Sequence, residues 1–150
     1  MKISLVTVLS RSRSKSDEMD LAARDYIERT ARYLPCESLS FRSEADLLRA
    51  LSAQAGRAAA FLILLDSRGK QLSSEELAEH IGRWRDGGTQ RLVFAIGPAD
   101  GWSAAARERA NLLLSFGRIT LPHQLARVVL AEQVYRALTI LAGHPYHCGH

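Results

Sequence analysis

The chain has 150 residues, 47% of them hydrophobic and 24% charged, with a net charge of +4. That length sets one domain, residues 1–150. The composition is too apolar for a disordered chain, and no apolar run approaches the ~18–20 residues that a membrane helix needs. The mild positive charge permits a nucleic-acid partner through phosphate neutralisation but does not demand one.

The opening run MKISLVTVLS is short and meets Arg11, Arg13 and Lys15 instead of a small-residue cleavage site. It reads as a strand over residues 3–8 in a cytoplasmic protein, not as a signal peptide. Ser16 is the expected N-cap of a first helix, whose apolar face is spaced as Met19, Ala22, Ala23, Tyr26, Ile27 and Tyr33 and which Pro35 ends. The stretch RSRSKS, residues 11–16, reads as the most flexible loop. Leu39 and Phe41 alternate with polar residues, as in a half-exposed edge strand. Ser43 and Asp46 form a capping signal before a second helix with Leu47, Leu48 and Leu51, closed by Gly56.

Residues 59–65 are continuously apolar, the pattern of a strand covered on both faces. A loop is expected over residues 66–69. Ser73 and Glu76 cap a third helix carrying Leu77, Ile81 and Trp84, which Gly87 and Gly88 end. Residues 92–96 form another buried strand. Ser103 caps a fourth helix running to Leu113, residues 116–121 form the fifth strand, and a fifth helix over residues 123–142 stops at Gly143. Strict β/α alternation predicts an α/β fold with a parallel sheet covered by helices.

In the last helix, 13 of the 18 residues from Leu125 to Ala142 are apolar. A helix apolar nearly all round must be buried nearly all round, and a homodimer seam is the simplest way to cover it. The two cysteines, Cys36 and Cys148, are far apart and offer no disulfide framework. The tail residues His144, His147, Cys148 and His150 fit no standard zinc spacing, so no metal is expected.

Two strand ends frame a candidate site. Gly97-Pro98-Ala99-Asp100-Gly101 follows a buried strand, where glycines let the backbone turn and approach a ligand. It is not a dinucleotide fingerprint. The second end leads through Pro122 and His123 into the last helix. Such ends are where α/β sheets bind ligands.

The segments FAIGPADGW and ITLPHQLARVVLAEQVYRALTILAGHPYH, in that order, closely resemble the small bacterial SPOUT-superfamily methyltransferases that methylate N3 of a pseudouridine in 23S rRNA, the ribosomal RNA large subunit methyltransferase H family. The resemblance is strongest over residues 94–147. It implies a SPOUT-type fold with a C-terminal trefoil knot, S-adenosylmethionine as cofactor, a homodimer, and large-subunit rRNA within the ribosome as substrate. It further implies that Leu65, Asp66, Gly97, Pro98, Gly117, Arg118, Ile119, Thr120, Leu121 and Pro122 form the cofactor pocket.

In the family the HPYH end reaches over that pocket, with the partner subunit contributing, and Tyr146 and His147 match it directly. His147, Tyr146 and His123 are the candidate catalytic residues. Arg127, Arg136, His144, Tyr146 and His147 are the candidates for holding RNA. The sequence departs from the family pattern at Pro98, which stands for a second glycine, and at Cys148, which stands for a basic residue.

Plainer roles exist for the same residues. Leu65, Ile119 and Leu121 suit a core, Arg136 suits an ion pair with Glu132 one turn away, and His123 suits a helix start. Two other functions also fit the chain: a degenerate RNA- or ribosome-binding module, and a SPOUT enzyme acting on another RNA such as tRNA.

Overall fold

The computed structural model describes residues 1–9, 17–52 and 56–148. Strand β1 (Lys2–Val8) leads through α1 (Glu18–Thr30) to β2 (Cys36–Phe41), and α2 (Glu44–Ser52) leads to β3 (Phe61–Gln71). Next come α3 (Ser74–Asp86), β4 (Arg91–Ile96), α4 (Ala104–Arg109), β5 (Leu112–Ser115) and α5 (His123–Ala142). All pairings are parallel, in the order β2-β1-β4-β3-β5.

Alternation along the strands sends side chains to two faces, each under its own helices. On one face Ile3, Leu5, Ile63, Phe94 and Ile96 pack with Ala23 and Ile27 of α1, Leu77 and Ile81 of α3, and Leu130, Val134 and Leu138 of α5. On the other, Val6, Val8, Leu62, Leu64 and Ala95 pack with Leu47 of α2 and Ala106 of α4. Both faces are covered, which is why the central strands read as unbroken apolar runs.

Several boundaries differ from the sequence expectation. The cap of α1 is Asp17, whose carboxylate accepts the Asp20 N–H at 2.8 Å; Ser16 and the rest of the RSRSKS stretch lie outside the described residues. Helix α2 ends at Ser52, and Gly56 belongs to a later turn at φ +88°. The loop expected at residues 66–69 is an excursion inside a longer strand. Leu65 and Lys70 both face Leu114 across the ladder, and pairing continues from Lys70 to Gln71, which faces Ser115. Gly69 permits this because a Cβ there would sit 2.6 Å from the backbone of Leu113 and Leu114.

The largest correction concerns the fourth helix and the fifth strand. Helix α4 stops at Arg109, and β5 is Leu112–Ser115, not residues 116–121. Asn111 decides this. Its backbone N–H donates to the Leu62 carbonyl, and its side-chain oxygen accepts the Leu62 N–H, both at 2.8 Å. The residue is thereby docked onto β3, and the run of leucines follows it into the sheet. Ser115 then ends the strand: its hydroxyl accepts the Gly117 N–H at 3.0 Å, and Gly117 sits at φ +109°. Residues 116–122 are therefore an open loop.

Helix α5 starts and stops where expected. Its end is a Gly143 cap at φ +71°, with the His144 N–H returning to the Thr139 carbonyl. It lies between α1 and α3. Its second half is buried there, whereas Leu125, Val128 and Val129 in its first half are only half-buried.

Candidate active site

The crossover from β3 to β4 passes over one face through α3, and the crossover from β4 to β5 returns over the other through α4. The chain thus reverses direction at the carboxyl ends of β4 and β3, and such a reversal opens a crevice. A cavity of about 530 Å³ lies there, within the range of small-molecule sites. Leu65 and Asp66 come from β3, residues 97–99, Gly101 and Trp102 from the loop after β4, residues 114–122 from β5 and its exit loop, and His123 and Ala126 from α5.

All ten positions that the resemblance assigns to the cofactor line this one cavity, and so does His123. Arg118, Ile119 and Thr120 lie exposed on its rim, and Ile119 is 81% exposed. Ile119 is therefore not core.

Two side chains that the sequence reading did not single out hold the cavity together. Trp102 is buried, and its indole N–H donates to the Leu65 carbonyl at 3.0 Å, tying the β4 loop to the end of β3. A Cβ on Gly97 would meet the Trp102 ring at 2.7 Å. A larger residue at that position would thus strike Trp102 before it entered the pocket. The only available sequence signal was a tryptophan directly after the glycine loop.

The second is Arg107, on α4. Its Nε–H donates to Asp66 Oδ2 at 2.8 Å, while Asp66 Oδ1 accepts the Arg68 N–H at 2.8 Å. Burial alone would raise the pKa of Asp66. The hydrogen bonds from Arg107 and the Arg68 backbone, with the two guanidinium charges, outweigh it and hold the carboxyl below its ordinary value. The cavity wall therefore carries a fixed carboxylate and a fixed guanidinium at neutral pH.

His123 points its Nε2 at the Gly97 carbonyl at 2.9 Å, so the proton on that nitrogen is donated to the backbone. In this arrangement His123 braces the glycine loop against the start of α5.

The remaining candidates lie elsewhere on the same subunit. Tyr146 and His147 fold back on α5 and α3. The Tyr146 hydroxyl donates to Glu132 at 3.2 Å, its ring meets Tyr135 edge-on at 4.8 Å, and the Arg136 guanidinium lies 5.0 Å from its centroid. Burial first, then contacts with Tyr26 and Glu132, push the Tyr146 phenol above its ordinary range. It is a neutral donor and a stacking surface, not a base.

His147 is 14% exposed and held on both nitrogens: Nδ1 faces Arg136 at 3.0 Å and Nε2 faces Glu75 at 2.7 Å. Arginine can only donate, so Nδ1 accepts and Nε2–H donates. The bond to His147 is also the main reason that Glu75 has a lowered pKa. Arg136 lies more than three turns along α5 from His123, about 20 Å by helix rise. The nearest approach along α5 is between Ala126 of the cavity and Glu132 under Tyr146, about 9 Å of helix rise, and neither Tyr146 nor His147 lines the cavity of its own subunit.

Arg136 pairs with Glu132 at 2.6 Å, as its plainer reading holds, and Arg127 is taken up by Asp20 at 2.7 Å and Ser38 at 3.1 Å. His144 is exposed, and its ring accepts the Tyr146 N–H. Among the described residues no three His, Cys, Asp or Glu side chains converge as metal ligands; His150 lies outside them. Among them also, no helix is long and apolar enough to cross a membrane.

Fold and site together define a parallel α/β protein with a small-molecule crevice at its topological switch. A family model described as Predicted SPOUT methyltransferase matches residues 1–147, and the chain belongs to that family. Among curated relatives, proteins named Ribosomal RNA large subunit methyltransferase H are similar along their whole length. The one from Koribacter versatilis is 48% identical over 150 residues, covering 100% of both chains. That from Mesorhizobium japonicum is 48% identical over 163 aligned residues, covering 98% of this chain and 99% of the relative. A solved structure, the SpoU methyltransferase AviRb from Streptomyces viridochromogenes in complex with the cofactor AdoMet, aligns with TM-score 0.49 and 14% identity over 94% of this chain and 60% of that one.

Proposed function

We propose that the protein is an S-adenosylmethionine-dependent methyltransferase that modifies N3 of a pseudouridine in large-subunit rRNA, working as a homodimer on the ribosome in the cytoplasm. The main support is the single cavity lined by all ten positions that the resemblance assigns to the cofactor. The full-length similarity to relatives named as rRNA large-subunit methyltransferases supports the substrate class.

The cavity suits such a cofactor. Leu65, Ile96, Phe116 and Leu121 offer apolar walls for a flat ring, and the backbone of the Gly97 loop and of residues 117–122 offers edge donors and acceptors. When bound, the cofactor supplies a methyl group on a sulfonium. The protein's own work is to exclude water, align the uracil ring and take up the N3 proton.

His147 is the residue proposed to share that proton, its Nδ1 giving up Arg136 to do so, and Tyr146 the surface on which the base stacks. Neither lines the cavity of its own subunit, so the reading takes the partner subunit's tail at each site. The half-buried Leu125 and Val129 and the exposed Ile119 supply apolar surface for that seam. The trefoil knot that the family resemblance implies belongs to the same proposal.

The test is transfer of labelled methyl from S-adenosylmethionine to intact ribosomes, beside free rRNA and tRNA, with sedimentation in parallel. Label in 23S rRNA of ribosomes alone, from a species of twice the 16.6 kDa chain mass, is expected. Ribosome binding without transfer would make the chain a binding module. Transfer to tRNA would move it to another RNA, and an active monomer would remove the composite site.

A further inference from the structure

Among the groups around the cavity, Arg107 has an assigned neighbour but no assigned role. Its Nε–H is used by Asp66 at 2.8 Å, and the Asp66 side chain is itself only 4% exposed and held on its other oxygen by the Arg68 N–H. The guanidinium is therefore anchored on one side. An arginine carries five N–H donors in a rigid fork, and the Nε–H bond consumes one. The Arg107 side chain is 26% exposed, lines the cavity, and has one Nη 4.0 Å from where a Cβ on Gly101 would sit. The remaining donors are thus carried at the mouth of the Gly97–Gly101 loop by a side chain whose orientation is already fixed. Such a fork matches a carboxylate in two parallel bonds.

Resting on the reading of this cavity as the cofactor site, we propose that Arg107, oriented by Asp66, is the specificity residue that binds the carboxylate of the cofactor's amino-acid tail. Nothing else on the cavity wall suits a compact anion so well: Arg118 stands on the exposed rim, His123 turns its Nε2 to the Gly97 carbonyl, Asp66 is itself an anion, and the rest of the lining is apolar, hydroxyl or backbone. Asp66 is a positioning residue: it acts on the ligand through Arg107. The consequence is discrimination. The pocket separates nucleosides with an amino-acid tail from those without one.

The test compares two probes on the full chain by calorimetry: S-adenosylhomocysteine, which has the carboxylate, and 5′-methylthioadenosine, which has the same nucleoside and thioether without it. Arg107→Gln is expected to weaken S-adenosylhomocysteine by about 10- to 100-fold, the scale of a charge-assisted bond, and to leave methylthioadenosine within about twofold. Arg107→Lys, which keeps the charge and loses the fork, should fall between. Equal weakening of both probes would make Arg107 a structural brace and overturn the assignment. Unchanged binding of both would overturn it as well, and so would loss of ribosome binding with S-adenosylhomocysteine affinity intact, which would mark the anion as an RNA phosphate. If the wild-type chain binds neither probe, the cofactor reading of the cavity itself fails.

Discussion

The cavity and the tail are built on opposite plans. The cavity is mostly backbone: a glycine loop, a strand excursion and an exit loop, cross-tied by Trp102, Asp66 and Arg107. The tail is mostly side chain: Tyr146 and His147 are seated by Glu132, Arg136, Tyr135 and Glu75, through polar and aromatic contacts. Backbone donors keep their place whatever the pH, and they suit a ligand that must be held in one pose. Ionisable side chains can exchange partners, and they suit a step in which a proton moves. The proposed division of labour between cofactor and substrate rests on that difference in construction.

Truncation after Gly143 tests the division with the largest expected effect. Helix α5 already has its glycine cap, so the dimer and most cofactor binding should survive, while methylation of ribosomes should fall about a hundredfold or more. Turnover and cofactor calorimetry on the same preparation decide it. Loss of cofactor binding would make the tail a lid and erase the contrast.

Asp66→Asn is expected to act on the other region, through stability. It leaves Arg107 without its carboxylate and should cost about 1–3 kcal/mol in chemical unfolding at neutral pH. The folded-state pKa of Asp66 is below its ordinary 3.8. Its contribution is therefore present above that value and lost as the pH falls through the lower folded one. The gap between wild type and variant should narrow below about pH 4. A gap that is constant from pH 7 to pH 3 would show that the ion pair is not its source.

The smallest effect is expected at Pro98. Its carbonyl accepts the Gly101 N–H at 2.9 Å, a contact that a glycine there keeps. Pro98→Gly should lower stability by about 0.4–1 kcal/mol through the unfolded chain and hold or slightly raise cofactor affinity, since one N–H is restored. Thermal melts and calorimetry read the two effects separately. A strong loss of affinity would mean that the proline presets the loop.

Much of the architecture was legible because local signals agreed. The Ser73 cap, the Gly143 stop and the unbroken apolar run of β4 are short-range facts, and they fell where the residues said. That the ten candidate cofactor positions line one cavity was legible differently, by resemblance, since Leu65 or Leu121 considered singly is indistinguishable from core. The fourth helix was misread because Leu112, Leu113 and Leu114 suit a helix or a strand equally. The deciding contact, Asn111 with Leu62, spans 49 residues.

What the sequence by itself determined is therefore the alternation of elements, the covered sheet and the chemistry available in each segment, because periodicity, capping and turn residues act within a few residues of one another. Tertiary structure alone decided where β5 begins, that residues 66–69 are an excursion inside β3, that Arg107 belongs to the cavity wall, and that the tail of a subunit is seated on Glu132 and Arg136 of its own α5, outside the cavity lining. Each of these depends on a partner distant in the chain, and no local pattern encodes which distant partner is met.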